Sequence, residues 1–249
     1  MQRNVKNLIG FALGATDGEI GKVNEFYFDD ETWTIRYLIV KTGNWLSGRK
    51  VLISPIALKE PDWENELLPL NLTKVQIENS PDIDTEKPVA RQKELALYNH
   101  YSWPYDAQPG AGFYGGIGMA GMIDSRIPFE DAIAAQNIDN YAGDPHLRST
   151  SEVIGYSLHA TDGEIGEVED FIIDDTTWRI RFLVVDTGNW FPGKKVLISP
   201  KWIKAIKWET SLVEVDIPID RVKNSPEYDP TKPLQETYES TLYQHYGRL

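Results

Sequence analysis

Hydrophobic and polar positions alternate along this chain in short runs broken by turn residues, which predicts strands rather than long helices. From Ile9 to Ala15 the pattern is strand-like, and it meets Asp17-Gly18, a dipeptide whose residues accept the positive φ of a tight hairpin turn. The return strand carries Ile20, Val23, Phe26 and Phe28, so an odd interval separates Val23 from Phe26. Side chains of a strand alternate with a period of two, and the slip predicts a β-bulge near Asn24-Glu25. An acidic turn follows, Asp29-Asp30-Glu31-Thr32, and Trp33 is expected to open a third strand. In it Ile35, Tyr37 and Ile39 alternate with Arg36, Leu38 and Val40, and its second half reads as buried on both faces. Gly43 and Gly48 bracket an Asn44-Trp45 loop, Lys50 to Ser54 forms a fourth strand ended by Pro55, and two shorter strands fit residues 56–63 and 67–72. A helix should come next, capped by Asp84 or Thr85 with Pro88 in its first turn and no breaker before Trp103-Pro104.

The same pattern then returns at a constant shift of 145 residues. Ile9-Gly10 recurs as Ile154-Gly155, Asp17-Gly18 as Asp162-Gly163, Trp33 as Trp178, Thr42-Gly43-Asn44-Trp45 as Thr187-Gly188-Asn189-Trp190, and Tyr98, His100 and Tyr101 as Tyr243, His245 and Tyr246. Val168, Phe171 and Ile173 repeat the parity slip, predicting a second bulge near Glu169-Asp170, and the second helix is expected from about Lys232 to Tyr246. Two copies are too few for a solenoid, so each must build its own core. The expected organisation is a first domain over 4–101, a glycine-rich acidic insert over 102–148 and a second domain over 149–246. Six short strands per copy favour closure into a small β-barrel or a sandwich, since closure removes exposed edges.

Composition agrees with that division, because 249 residues at 41 % hydrophobic content leave room for two domains of ordinary size. No uninterrupted apolar stretch has the length of a membrane-spanning helix, and Met1 to Lys6 lacks the apolar core of a signal peptide, so a cytoplasmic protein without direct membrane insertion is expected. The chain has no cysteine, which excludes disulfides, thiol nucleophiles and cysteine metal sites. The formal net charge is −13, with an acidic balance in each copy and in the insert. Nucleic-acid binding draws on lysine and arginine for phosphate, so it is not expected, and a protein partner is.

Taken together, Asp-Gly-Glu-Ile-Gly-x-Val, Asp-Asp-x-Thr-Trp-x-Ile-Arg, Thr-Gly-Asn-Trp and Lys-Val-Leu-Ile-Ser-Pro resemble the PRC-barrel domain, named for the cytoplasmic domain of the photosynthetic reaction-centre H subunit. The resemblance covers both copies. It implies a mainly β protein of two small barrels of about six strands, each followed by a C-terminal helix and joined by the glycine-rich insert. It also implies action through protein contacts, as in the H subunit and in the C-terminal half of a ribosome-maturation factor that binds a small-subunit protein. The H subunit carries an amino-terminal membrane helix and the maturation factor a different amino-terminal domain. This chain matches neither and reads as a bacterial tandem PRC-barrel protein.

No catalytic, cofactor or metal site is expected. Asp17-Gly18 and Asp162-Gly163 are explained by turn geometry, and Asp29-Asp30 and Asp174-Asp175 by a solvated turn. His100 and His245 sit where packing or capping of helix carbonyls would use them, and no zinc motif occurs. Two glycine patterns, Gly110 to Gly115 and Gly116 to Gly121, fit the dinucleotide fingerprint but lack the strand and helix that give it meaning. The uncharged stretch 107–123 reads as a flexible linker or an arm that packs on a barrel or a partner, and 128–138 as a short amphipathic helix. The expected protein contacts are Asn44, Trp45 and Leu46 in one loop, Asn189, Trp190 and Phe191 in its repeat, and Phe113 and Tyr114 in the insert. A tryptophan between glycines can fold back as a lid or stand out as an anchor.

The sequence therefore points to a non-enzymatic interaction or scaffold module. Its partner would be another protein or a second copy of the chain, with a membrane electron-transfer complex as the partner implied by the H-subunit resemblance and a peripheral position reached through that partner. The alternative is a ribosome- or RNA-processing accessory factor acting through a ribosomal protein.

Overall fold

The computed structural model of the chain describes residues 1–81, 91–103, 146–188 and 194–247, apart from the side chains of Trp45, Arg91, Gln92, Lys93 and Leu95. The stretches expected at 107–123 and 128–138 lie outside the described residues. The chain begins with a short strand β1 (Gln2–Asn4) and one helical turn α1 (Val5–Leu8). The first repeat continues through β2 (Ala12–Ala15), β3 (Gly18–Asp29), β4 (Thr34–Thr42), β5 (Lys50–Ile53), β6 (Leu67–Pro69), a short helix α2 (Lys74–Glu78) and the helix α3 (Arg91–Tyr101). The second repeat runs β7 (Leu147–Ser149), α4 (Thr150–Val153), β8 (Ser157–Ala160), β9 (Gly163–Asp174), β10 (Ile180–Asp186), β11 (Lys195–Ile198), β12 (Ile203–Lys207), β13 (Leu212–Val215), α5 (Ile219–Lys223) and α6 (Glu236–Tyr246).

The strands form two mixed sheets with matching topology, one in the order β5-β4-β3-β2-β6 and the other in the order β11-β10-β9-β8-β13-β12. Neighbours are antiparallel except β2 with β6 and β8 with β13, which are parallel. Each sheet gains one more strand on its longest member. That strand is β7 on β3 and β1 on β9, so each repeat's opening strand pairs with the sheet of the other repeat. The two compact units follow this exchange. One is Phe11–Arg148, and the other joins Met1–Gly10 to Ser149–Leu249. These are the first and the second unit.

The twelve-residue strands β3 and β9 serve one neighbour with their first half and a different one with their second, which requires a bend in between. The expected bulges supply it: the register skips Asn24 against β4 and Glu169 against β10. A glycine sits just before each, because a Cβ on Gly21 would lie 2.2 Å from the Lys41 carbonyl oxygen and one on Gly166 1.9 Å from that of Asp186. Beyond the bulge every residue from Phe26 to Asp29 is buried, as is β4 from Thr34 to Val40. The core of the first unit thus centres on Phe26, Phe28, Ile35, Tyr37 and Ile39, and that of the second on Phe171, Ile173, Phe182, Val184 and Ile198. Each such side chain contributes about 1.5–3 kcal/mol on burial.

Three expectations change in detail. Trp33 and Trp178 close the acidic turns instead of opening strands, with φ of 55° and 57°. The fifth strand forms as β12 in the second repeat. Its counterpart in the first reduces to isolated bridges at Leu58–Leu70 and Asp62–Leu67, where Pro61 stands in place of Ile206 and removes a ladder donor. The last helix starts at Glu236, a few residues later than expected, because Pro233 interrupts the segment before it.

Candidate functional site

The Asp-Asp-x-Thr-Trp motif turns out to be a two-part device. In the first unit Asp29 Oδ1 accepts the backbone amides of Glu31 (3.1 Å) and Thr32 (2.8 Å) and the Thr32 hydroxyl (2.9 Å). In the second, Asp174 Oδ1 accepts those of Thr176 (3.1 Å) and Thr177 (2.8 Å) and the Thr177 hydroxyl (3.0 Å). A carboxylate that satisfies turn amides in this way holds the chain for the left-handed tryptophan that follows. The expected solvated turn is therefore corrected for Asp29, which is 2 % exposed and also faces Arg36 Nη1 at 3.5 Å.

The second aspartate of each doublet holds the exchanged strand. The Asp30 amide donates to the His146 carbonyl (2.9 Å), and its carboxylate accepts from Arg148 Nε (3.2 Å) and meets His146 Nδ1 (2.9 Å). Correspondingly, the Asp175 amide donates to the Met1 carbonyl (2.9 Å) and its carboxylate accepts from Arg3 Nε (3.0 Å). Arg3 and Arg148 are themselves 145 residues apart, so clamp and strand are both duplicated.

The second unit adds polar contacts of its own. Asp170 accepts from Asn4 Nδ2 (2.9 Å), the Lys6 amide (3.1 Å) and the Phe171 amide (2.8 Å). Burial raises its carboxyl above the usual range, a shift that the Asn4 and backbone hydrogen bonds oppose. The Tyr228 hydroxyl donates to Asn4 Oδ1 (2.7 Å), Gln2 Nε2 donates to Glu239 (2.8 Å), and Val5 and Leu8 are each 1 % exposed.

Each C-terminal helix is tied down by matched contacts. Arg36 pairs with Glu94 of α3 at 2.7 Å, and Arg181 with Glu239 of α6 at 2.5 Å. His100 Nε2 meets the Gln76 carbonyl and His245 Nε2 that of Arg221, both at 2.7 Å. The histidines thus bond the short helices α2 and α5 instead of the carbonyls of their own helices. Likewise the hairpin aspartates do more than turn the chain, since Asp17 accepts the Lys74 amide (2.8 Å) and Asp162 the Ile219 amide (2.7 Å) at the starts of those short helices.

Of the contacts expected from sequence, Asn44 is exposed and Leu46 partly buried in a 3-10 turn over Asn44–Leu46. The base of this loop is fixed by Thr42 Oγ1 on the Arg49 carbonyl (2.6 Å) and by Arg49 on the carbonyls of Glu78 (3.2 Å) and Ser80 (2.8 Å). The Trp45 side chain and Asn189, Trp190, Phe191, Phe113 and Tyr114 lie outside the described residues. The sequence reading took Asp30 and Asp175 for members of a solvated turn, where they hold the opening strands, and it missed Arg3 and Arg148, although the arginines share the repeat shift and lie just ahead of the first aligned residues. Among the described residues no group of three or more His, Asp or Glu could hold a metal ion, and no helix is long and apolar enough to cross a membrane.

A similar protein of Deinococcus radiodurans, described only as uncharacterized, is 34 % identical over 77 residues, covering 30 % of this chain and 27 % of that one. The match therefore spans about a quarter of the relative's length. The family model for the PRC-barrel domain matches residues 2–71 and 146–222, and both matches begin at the exchanged strand and run through the bulged hairpin and the clamp. With more than half of its length matched in two tandem copies, the chain belongs to the PRC-barrel domain family.

Proposed function

We propose that this chain is a non-enzymatic interaction protein that binds other proteins through its tandem barrels. PRC-barrel domains are a non-catalytic kind of domain that commonly mediates protein–protein contact. The observation that carries the reading is the clamp: each sheet binds a strand from outside its own repeat, by main-chain pairing with an aspartate set against an arginine. Strand addition of this type draws affinity from the backbone and specificity from alternate side chains. Asn44, Trp45 and Leu46, with Asn189, Trp190, Phe191, Phe113 and Tyr114, are the proposed contacts for a foreign partner. The exposure of Asn44 and the braced base of its loop support a role in recognition.

The finer reading places the chain in the cytoplasm at the periphery of a membrane electron-transfer complex, held there by a protein partner. The likeness of its motifs to the H-subunit barrel supports this, and the net charge of −13 favours a protein over a nucleic acid. Affinity purification after mild crosslinking in native cells, with membrane and soluble fractions analysed separately, tests it. Enrichment of a membrane redox complex is expected, together with its loss in the Trp45→Ala/Trp190→Ala double variant at unchanged thermal stability. Recovery of ribosomal proteins would favour the accessory-factor reading, and recovery of this chain alone would contradict both.

A further inference from the structure

The Met1–Leu8 segment has a receptor built for it. Its strand pairs with β9, Arg3 is held by Asp175, Asn4 by Asp170 and Tyr228, and Gln2 by Glu239. Lys6 adds its amide on Asp170 and its ammonium 3.9 Å from Glu169, and Val5 and Leu8 are almost fully buried. All of these partners lie in the second unit, whereas the chain leaves the segment at Gly10 to build the first. The link between the two is short. Ile9 is 42 % exposed, and Gly10 is an exposed residue at φ +91° with no atom within 4 Å of where a Cβ would stand. Rotation there breaks no packing at Gly10 itself.

We propose that Met1–Leu8, the strand β1 with the helical turn α1, is an exchangeable segment that seats in the same Asp170/Asp175 receptor of a second copy of this chain, closing a dimer by reciprocal exchange. Every contact named above is identical in the closed monomer and in the exchanged dimer, so the two differ only in the conformation of the Ile9–Gly10 link and in concentration. A two-residue link held with a glycine at positive φ is the kind of hinge that extends when a second copy supplies the receptor. Charge sets the fit, because a segment carrying Arg3 on its strand and Lys6 on its helical turn enters a site lined by Asp175, Asp170 and Glu169. The equivalent opening segment of the second repeat has Ser151 where this one has Lys6, each in the helical turn after the strand, so it is the poorer occupant of that site. The inference stands independently of any foreign partner.

Disulfide trapping decides it, aided by the absence of cysteine from the chain. Gln2 lies opposite Asp174 across the β1–β9 pair, next to the hydrogen-bonded Met1–Asp175 position. Opposed residues at such a site are about 4.5 Å apart at Cα, within reach of a disulfide. A Gln2→Cys copy and an Asp174→Cys copy are unfolded together, refolded at high protein concentration and oxidised. The expected product is a covalent dimer of the two copies, absent when Gln2→Cys is paired with a Lys59→Cys copy. The double variant Gln2→Cys/Asp174→Cys reports whether the bridge forms at all. If it closes only within one chain at every concentration while the mixed single variants stay monomeric, the exchange is overturned. Should the mixed copies crosslink no better than the Lys59→Cys control, the proposal fails equally.

Discussion

The two units use one ion pair under opposite conditions. Arg36 and Glu94 are 7 % and 6 % exposed at their side chains, and Asp29 and the ring of Tyr37 share their surroundings. Arg181 and Glu239, at the equivalent positions, are 44 % and 15 % exposed, and the place of Tyr37 is taken by Phe182. The exchanged strands differ in the same sense: Gln2 donates to Glu239, whereas the equivalent residue in β7 is the buried Leu147, which has no side-chain donor. In the first unit burial, followed by the Glu94 carboxylate, raises the Tyr37 hydroxyl well above its usual value. A duplicated motif therefore keeps its geometry while its energetics diverge, because the cost of leaving a charge unpaired depends on how much water remains nearby.

Aromatic packing diverges by a different route. In the first unit Trp103 lies 5.4 Å from Tyr98 and 4.4 Å from Tyr101. In the second, Trp202 lies 5.5 Å from Tyr243 and 4.5 Å from Tyr246. The tyrosine pairs are equivalent and the tryptophans are not, since Trp202 corresponds to Ala57 and Trp103 has Arg248 in its place. One indole is thus supplied from beyond the helix and the other from the turn after the fourth strand, and both cover the same two rings. Closure of the core constrains the volume to be filled and leaves open the point of the chain that fills it.

The largest break in symmetry is expected from the ion pair. Arg36→Ala should cost about 3–5 kcal/mol by stranding buried carboxylates, and Arg181→Ala about 1 kcal/mol or less. Urea unfolding followed by peptide-resolved hydrogen exchange assigns each loss to its unit, and equal losses would refute the contrast. The bulge glycines sharpen it from the other side. Gly21→Ala and Gly166→Ala should each destabilise their own unit by about 3 kcal/mol, because the obstacle in both is a backbone carbonyl that cannot yield.

The next effect lies at high pH. Burial pushes Tyr101 and Tyr246 up to about 12, against smaller lowering contributions from Ser80 and Ser225. The folded state then holds these protons more tightly than the unfolded chain, whose tyrosines titrate near 10. Their contribution to stability is complete below about pH 10 and declines between about 10 and 12 by about 1.4 kcal/mol per pH unit for each tyrosine. The urea midpoint should fall over that window, and Tyr101→Phe or Tyr246→Phe should each flatten the decline by a similar amount. A smaller effect than that of the buried tyrosines belongs to the strand clamps. Asp30→Asn and Asp175→Asn should cost about 1–2 kcal/mol each, with faster amide exchange at β7 and its partner β3 in the former and at β1 and its partner residues Ile172 to Asp175 in the latter.

Much of the architecture is legible in the sequence because period and punctuation are local. The parity slip at Val23 and Phe26 locates the bulge, and Lys50 to Pro55 marks the fourth strand and its end. The short helix α2 was open to the same reading through Thr73 and Gln76, which form a capping box. Strand exchange is not legible in this way. A constant shift of 145 residues is the same whether each opening strand joins its own sheet or the other one. Arg3 and Asp175 carry the signal only once their repeats Arg148 and Asp30 show the same cross-pairing. The expected contact residues beyond Asn44 and Leu46 fall on stretches or side chains outside the described residues, so sequence alone speaks for them.

The central claim is that the opening strand of one repeat completes the unit of the other. Hydrogen exchange measured peptide by peptide on the Val5→Asp variant tests it most directly, because a carboxylate at this 1 % exposed position unseats the segment. The account predicts lost protection at Ile172 to Asp175, with Phe26 to Asp30 unchanged. Lost protection at Phe26 to Asp30 with Ile172 to Asp175 intact would place the strand in its own repeat and contradict the account.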